Sequence, residues 1–318
     1  MTVLAIDIGG TKFAAAMVEP TGVITARLEL PVGPDATATL AELVGRIAVP
    51  GLTGDSGLTG VGIGSAGPLD VLGGTVSPVN IPSWREFPLV KTVSELLPEL
   101  PVRLAGDAQC MALGEWWQGT YGKRASDAGP YKTLLGIVVS TGIGGGVVVD
   151  GQPFLGPTGN AGHIGHISVD RDGDACPCGA TGCVETIASG PSMVRWALDN
   201  GWRRAVEPAF WAGRAVDARS LAADAKRGIP VAKLAFQRAS DALGTAILTA
   251  AALFDIDNVV IGGGVAAAGP TLMVPLRQAI ARQAGLGFLH RLRVDATSLG
   301  RDAGLYGAAA LVLGDRPS

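Results

Sequence analysis

Short apolar runs punctuated by glycine turns, followed by longer amphipathic stretches, set the outline of the chain. Val3 to Ile8 is an apolar run closed by Gly9, Gly10, Thr11 and Lys12, which predicts a strand feeding a glycine turn. Phe13 to Val18 and Val23 to Leu30 predict two further strands, with Pro20, Thr21 and Gly22 as the hairpin between them. A strand meander therefore follows the turn where a dinucleotide-binding unit has a helix, and GxGxxG is absent, so that fold is excluded. The spacing of Leu40, Leu43, Val44 and Ile47 predicts a helix over Asp35 to Ala48, capped by Asp35 or Thr37. Leu58 to Gly64 reads as a strand ending in Ser65-Ala66-Gly67-Pro68, a turn that brings main chain close to a ligand and makes Gly67 a substrate-binding candidate. An irregular crossing from Gly73 to Pro88 leads to a helix over Val90 to Leu97, a strand over Val102 to Ala105 and a helix over Gln109 to Gln118.

Gly119 to Pro130 is polar and turn-rich, and predicts a hinge. Beyond it the opening pattern returns: Leu134 to Ser140 as a strand, Thr141 to Gly146 (TGIGGG) as a glycine turn, and Gly146 to Asp150 as a strand turned by Asp150-Gly151. Two such units suggest an internal duplication. From Ser189 onward the pattern is mostly helical, over Pro191 to Asn200, Asp217 to Lys226, Ile229 to Phe254 and Thr271 to Gln283. Strands are predicted at Asn258 to Ile261, running into Gly262-Gly263-Gly264, and at Leu292 to Ala296, before a last helix over Asp302 to Leu313. Trp196, Trp202 and Trp211 cluster in the least patterned region, as core or subunit contacts.

A chain of 318 residues is long enough for two domains. The expected division is a smaller lobe of residues 1–118 with the C-terminal helix 302–316, and a larger lobe of residues 119–301. Hydrophobic residues make up 47% and charged ones 17%, a globular composition. A net charge of −3 gives no electrostatic case for nucleic acid or an anionic membrane. The N-terminus lacks the charged and hydrophobic regions of a leader, and the apolar segment Ala242 to Phe254 is too short to span a bilayer. A cytoplasmic protein is expected, as a homodimer or larger homo-oligomer.

Three of the four cysteines and two of the three histidines fall between Gly159 and Glu185. His166, Cys176, Cys178 and Cys183 follow H-x9-C-x-C-x4-C, with glycines at 173, 179 and 182 that let a short loop fold around one ion. Three thiolates and an imidazole form a closed tetrahedral set, as in a structural zinc site. Cys110 is expected to be a small packed side chain. The glycine turns after the first and the Leu134 strands free successive backbone N–H groups for phosphate oxygens. Thr11 and Lys12 add a hydroxyl and a cation, and Asp7 is placed to hold Mg²⁺ through water. With the third glycine run at 262–264, these turns point to a nucleoside triphosphate, although no Walker A sequence is present. Asp107, between a strand end and a helix start, reads either as a catalytic carboxylate or as a helix cap.

DIGGTK at Asp7 to Lys12, STGIGGG at Ser140 to Gly146 and CPCGATGCVET at Cys176 to Thr186 together resemble the ROK family of sugar kinases and sugar-responsive repressors, over nearly the whole chain. The resemblance implies an α/β, two-lobed actin-like ATPase (ribonuclease H-like) fold, with sugar and ATP in the cleft between the lobes. It implies that Asp107 is the catalytic base that deprotonates the sugar 6-hydroxyl. Asp7, Gly9, Gly10, Thr11, Lys12, Thr141 and Gly142 then serve the phosphates and their Mg²⁺, and Gly263 with Gly264 flanks the adenosine. Gly67, Asn80, Asp107, His163, His166 and Glu185 are the implied substrate-binding residues, with His166 serving both zinc and sugar.

Two positions depart from the common glucokinase pattern, which has a glutamate where this chain has His163 and an asparagine where it has Gly106. Each lost hydrogen bond costs roughly 1–3 kcal/mol if its partner stays buried and unpaired, so glucose is expected to be a poorer substrate. AGHIGH, with Asp107-Ala108-Gln109, resembles the bacterial N-acetylmannosamine kinases of the family, and the expected reaction is ATP-dependent 6-phosphorylation of N-acetylmannosamine. A glucokinase or broad hexose kinase is the alternative. A sugar-responsive transcriptional regulator is a third, opposed by the entry into the first strand at residue 3. Gly106 does not follow from the N-acetylmannosamine kinase pattern, which also favours asparagine there.

Overall fold

The computed structural model describes residues 2–48, 57–120, 133–203 and 216–314. The chain forms two compact units. Unit 1 comprises Met1–Gly136, Gly146–Gly162 and Thr297–Ser318, and unit 2 comprises Ile137–Gly145 and His163–Ala296.

Unit 1 begins with β1 (Thr2–Ile8), β2 (Lys12–Val18) and β3 (Ile24–Pro31), the predicted meander, followed by α1 (Ala36–Ile47) and β4 (Leu58–Ser65). The cap of α1 is Asp35, whose carboxylate accepts the N–H groups of Thr37 at 2.9 Å and Ala38 at 3.0 Å. A hairpin of β5 (Leu69–Asp70) and β6 (Thr75–Val76) leads to α2 (Leu89–Leu96), β7 (Val102–Gly106) and α3 (Asp107–Trp117). The principal sheet has the order β3-β2-β1-β4-β7, antiparallel from β3 to β1 and parallel from β1 to β7.

Because side chains alternate across a strand, β1 feeds two cores. Leu4, Ile6 and Ile8 pack with Phe13, Leu40, Leu43 and Trp84 on one face. Val3 and Ala5 pack with Ala105, Cys110, Leu305 and Ala308 on the other. The second face is lined by small residues, and this lets helices approach closely. A Cβ at Gly114 or Gly307 would collide with backbone of the facing helix, and one at Gly62 with the Ala308 carbonyl.

The chain continues through β8 (Thr133–Val139), β9 (Ile143–Val149) and β10 (Gln152–Phe154), α4 (Val184–Ala188), α5 (Gly190–Asp199), α6 (Ala218–Lys226), α7 (Pro230–Phe254) and β11 (Asn258–Gly262). It closes with α8 (Pro270–Gln283), β12 (Arg293–Ala296) and α9 (Ala303–Leu313), the last returning to unit 1. The second sheet has the order β10-β9-β8-β11-β12. Matched strand by strand, it repeats the first: meander, then a parallel pair on the far side of the opening strand. That is the duplication the glycine turns suggested. Among the described residues no helix is long and apolar enough to cross a membrane.

Three local expectations are corrected. α3 starts at Asp107, two residues before the predicted Gln109, with Gly106 as its N-cap. TGIGGG is a turn only to Gly142, because β9 begins at Ile143 and its glycines lie inside a strand. Gly146 is there because a Cβ would meet the Gln109 Cα and Ala108 carbonyl at the start of α3. The irregular crossing from Gly73 contains β6, whose two-residue pairing with β5 is too short to leave a periodic signal. Trp202 is fully buried, its Nε1 donating to Asp224 at 2.9 Å. Trp211 and most of the predicted hinge at Gly119 to Pro130 lie outside the described residues.

Candidate active site

In unit 1 the parallel register β1-β4-β7 aligns Asp7 with Gly64, and Gly64 with Ala105, so that Asp7, Ser65 and Gly106-Asp107 gather at the carboxyl ends of three adjacent strands. Ligands bind at this end of open α/β sheets. Asp107 is the first residue of α3, and its Oδ1 accepts the Ala108 N–H at 2.7 Å. The helix N-terminus favours a negative charge there. Asp7 is pushed up to about 7 from 3.8, first by burial and then by the charge of Asp107, with Lys12 opposing. The glycine turn closes with Gly9 N–H donating to the Lys12 carbonyl at 3.1 Å. Gly10 is covered by the Asn80 side chain, 2.6 Å from where a Cβ would stand, so Asn80 lies against the turn. Gly67 is joined to Pro68 by a cis peptide bond in the turn after β4.

Unit 2 repeats the construction. Ser140 N–H donates to the Gly142 carbonyl at 2.9 Å, and Gly190 N–H, opening α5, donates to the Ser140 carbonyl at 2.8 Å. Gly263 has φ of 91° and no room for a Cβ against Val139, while a Cβ at Gly264 would stand 3.6 Å from Ser140 Oγ. These segments border a cavity of about 650 Å³ whose walls include Thr141, Pro191, Arg195, Asp199, Asp217 and Gly264. It has the size and the mixed apolar and polar walls of a small-molecule site. Glu185, expected as a sugar contact, also holds this turn. Its Oε2 accepts the Ile143 N–H at 2.6 Å and lies 2.8 Å from the Cβ position of Gly142.

The cysteine loop converges as the spacing predicts. One donor atom from each of His166, Cys176, Cys178 and Cys183 lies within 4.8 Å of the others. His166 Nδ1 is 3.8 Å from Cys176 Sγ, and Cys178 and Cys183 sulfurs are 3.7 Å apart. A tetrahedron with Zn–S bonds of about 2.3 Å has S···S edges of about 3.8 Å, so the donor set fits zinc in both chemistry and size. Gly179 (φ 96°) and Gly182 (φ 67°) permit the tight loop, Gly182 also because the Asp170 carbonyl leaves no room for a Cβ. Cys183 is the N-cap of α4 and Glu185 lies in its first turn, so one short helix links one ligand to Glu185. His163 is exposed, and its ring centroid is 6.1 Å from that of His166.

Residues 3–315 match the model of the ROK family. The chain belongs to that family. Among its ROK relatives it is 34% identical to a glucokinase of Halalkalibacterium halodurans, over 97% of this chain and 94% of that protein. It is 36% identical to an N-acetylmannosamine kinase of Escherichia coli, over 99% of this chain and all of that protein. A solved ROK glucokinase from Streptomyces griseus, in complex with glucose and AMPPNP, superposes with a TM-score of 0.80 at 31% identity, covering 98% of this chain and 99% of that one. The repeated sheets are accordingly those of the actin-like ATPase fold.

Two polar residues of this ROK chain, Asn160 and Glu115, were not singled out by the sequence, and a third, Gln109, entered only as part of the Asp107-Ala108-Gln109 run. Gln109 and Asn160 tie down the segment that leads to His163. Glu115, 1% exposed, accepts hydrogen bonds from Thr297 Oγ1, Ser298 N, Ser298 Oγ and Leu299 N. The available signal for Gln109 was its place at the third position of α3, where a glutamine returns a bond to the N-cap. A glycine at the N-cap concealed it.

Proposed function

We propose that this ROK protein phosphorylates the 6-hydroxyl of N-acetylmannosamine with ATP. It is a sugar kinase using ATP, supported by the family match and by full-length relatives named as kinases. The choice of sugar rests on one observation: an exposed imidazole, His163, stands beside the His166 ring where glucokinase-like chains carry a carboxylate. An imidazole presents a different shape and hydrogen-bonding pattern from a carboxylate to the substituents around C1 and C2 of the sugar.

In this reading Asp107 takes the proton of the 6-hydroxyl as O6 bonds to the γ-phosphorus, while the bond from that phosphorus to the bridging oxygen breaks and ADP leaves. Thr11, Lys12, Thr141, Gly142 and the main chain of Gly9 and Gly10 hold phosphate oxygens; Gly263 and Gly264 flank the adenosine. Asn80, His163, His166, Glu185 and the Gly67 turn hold the sugar. His166 Nδ1 faces the sulfurs, leaving Nε2 for the sugar. The zinc set acts by orienting His166 and α4. Asp7, whose carboxyl is pushed up to about 7 by burial and then by Asp107, would be favoured in its ionised form by a divalent cation, which would supply charge neutralisation for the phosphates.

Coupled ADP release across a panel of hexoses tests the reading. N-acetylmannosamine is expected to give the highest kcat/KM, and glucose turned over better would make the protein a glucokinase, as the similarity to the Halalkalibacterium halodurans enzyme allows. Asp107→Ala with near-normal turnover would overturn the mechanism.

A further inference from the structure

Gln109 is 3% exposed and uses both ends of its amide. Its Oε1 accepts the Gly106 N–H at 2.8 Å, and its Nε2 donates to the carbonyls of Gly159 at 3.1 Å and Ala161 at 2.8 Å. One side chain thus joins the residue before Asp107 to the segment two residues before His163. The intervening Asn160 makes a separate clamp: its Oδ1 accepts the Leu69 N–H at 3.1 Å and its Nδ2 donates to the Leu69 carbonyl at 2.8 Å. Carbonyls 159 and 161 are therefore held by α3 and side chain 160 by β5, all within unit 1.

Gly106 belongs to the same arrangement. Its φ of −68° and ψ of 148° are open to any residue, so the backbone does not demand glycine. Its neighbours do. A Cβ at 106 would stand 3.2 Å from Gln109 Oε1, 3.4 Å from its Cδ and 3.5 Å from Leu69 Cδ1. A branched polar side chain there competes with Gln109 for the space and for the Gly106 N–H.

We propose that Gln109 is a positioning residue for sugar selection, coupled to Gly106: the pair sets where the 159–161 main chain, from which the chain runs on to His163, stands relative to Asp107's end of α3 within unit 1. This rests on the kinase reading above. Among the described residues the hydrogen bonds of the Gln109 side chain go to Gly106, Gly159 and Ala161, and none to Ser140–Gly142 or Gly263–Gly264. Its loss therefore acts on the sugar and spares the nucleotide.

The test is steady-state kinetics of Gln109→Met, which keeps length and volume without the hydrogen bonds, on N-acetylmannosamine, glucose and ATP. The sugar KM is expected to rise about tenfold with ATP KM within about twofold, and the N-acetylmannosamine-to-glucose ratio of kcat/KM to change about tenfold. Gly106→Ala is expected to move that ratio in the same direction, and its effect combined with Gln109→Met to be less than additive. Should Gln109→Met fail to fold by circular dichroism, Gly106→Ala alone must shift the ratio. An unchanged ratio in folded variants, sugar and ATP KM rising together, or strict additivity would overturn the proposal while leaving the kinase reading standing. A wild-type protein that phosphorylates no sugar would fail both.

Discussion

Lys12 Nζ donates to Glu29 Oε2 at 2.8 Å, so the cation of the first glycine turn is paired with β3 when no nucleotide competes for it. The Lys12 hydrogen bond holds the Glu29 carboxyl below its usual range, helped by Arg27. Arg27 itself keeps a second partner in Asp302 at 2.9 Å. Both members of the Lys12 pair are partly exposed, and such pairs contribute little. Glu29→Gln is therefore expected to lower ATP KM by no more than about two- to fivefold at low ionic strength, an effect that salt erases. Lys12→Met is expected to raise ATP KM. An ATP KM that rises in Glu29→Gln would mean that Glu29 aims the lysine at the phosphates and does not withhold it.

Asp7 gives the fold a pH dependence of known sign. Its folded value of about 7 exceeds the ordinary 3.8, so between those limits the folded state binds a proton that the unfolded state has lost. Stability from this group is complete below about pH 4, falls as pH rises, and is lost above about 7. In magnesium-free buffer the thermal midpoint of the wild type is expected to fall from pH 4 to 7 by about 2–4 °C or more relative to Asp7→Asn. Parallel curves for the two proteins would show that Asp7 is not held protonated.

Strong chemistry was legible along the chain, and contacts remote in sequence were not. The cysteine spacing alone foretold the donor set, because all four ligands lie within one loop. The duplicated meander was legible because each glycine turn follows an apolar run. The glycines at 144–146 misled, since glycine marks turns locally, yet here Gly146 answers to the start of α3, nearly forty residues away in sequence. Gly106 was legible only in part: Gln109 is its cap partner three residues on, whereas Leu69 reaches it only once β5 and β7 are in place.

Glu115 joins α3 to the entrance of α9 without appearing in any motif. A carboxylate that is 1% exposed accepts four hydrogen bonds from the partly exposed residues 297–299, so its removal empties a buried site and takes the acceptor from all four bonds. Glu115→Ala is expected to destabilise the protein by about 1–3 kcal/mol, and Glu115→Gln by less, because the amide still offers one acceptor. Urea unfolding measures both. Equal losses in the two variants would show that the charge matters and the hydrogen-bond count does not.

The zinc set offers a separation of structure from substrate binding. Cys178 is exposed whereas Cys176 and Cys183 are buried, so Cys178→Ser weakens metal binding without opening a hole in the core. Wild-type protein is expected to hold about one zinc per chain by elemental analysis and the variant distinctly less. With the ion gone, His166 loses its anchor and α4 loses its fixed start at Cys183, so the sugar KM is expected to rise about tenfold or more. ATP KM is expected to move less, because besides the Glu185 contact the Gly263–Gly264 wall and the Ser140 turn are held by hydrogen bonds among Val139, Ser140, Gly190 and Val265. Amide exchange is expected to quicken over residues 167–183 before it does in α7. A zinc-depleted protein with an unchanged sugar KM would reduce the ion to a staple for its own loop, and the link from Cys183 to Glu185 would carry no substrate.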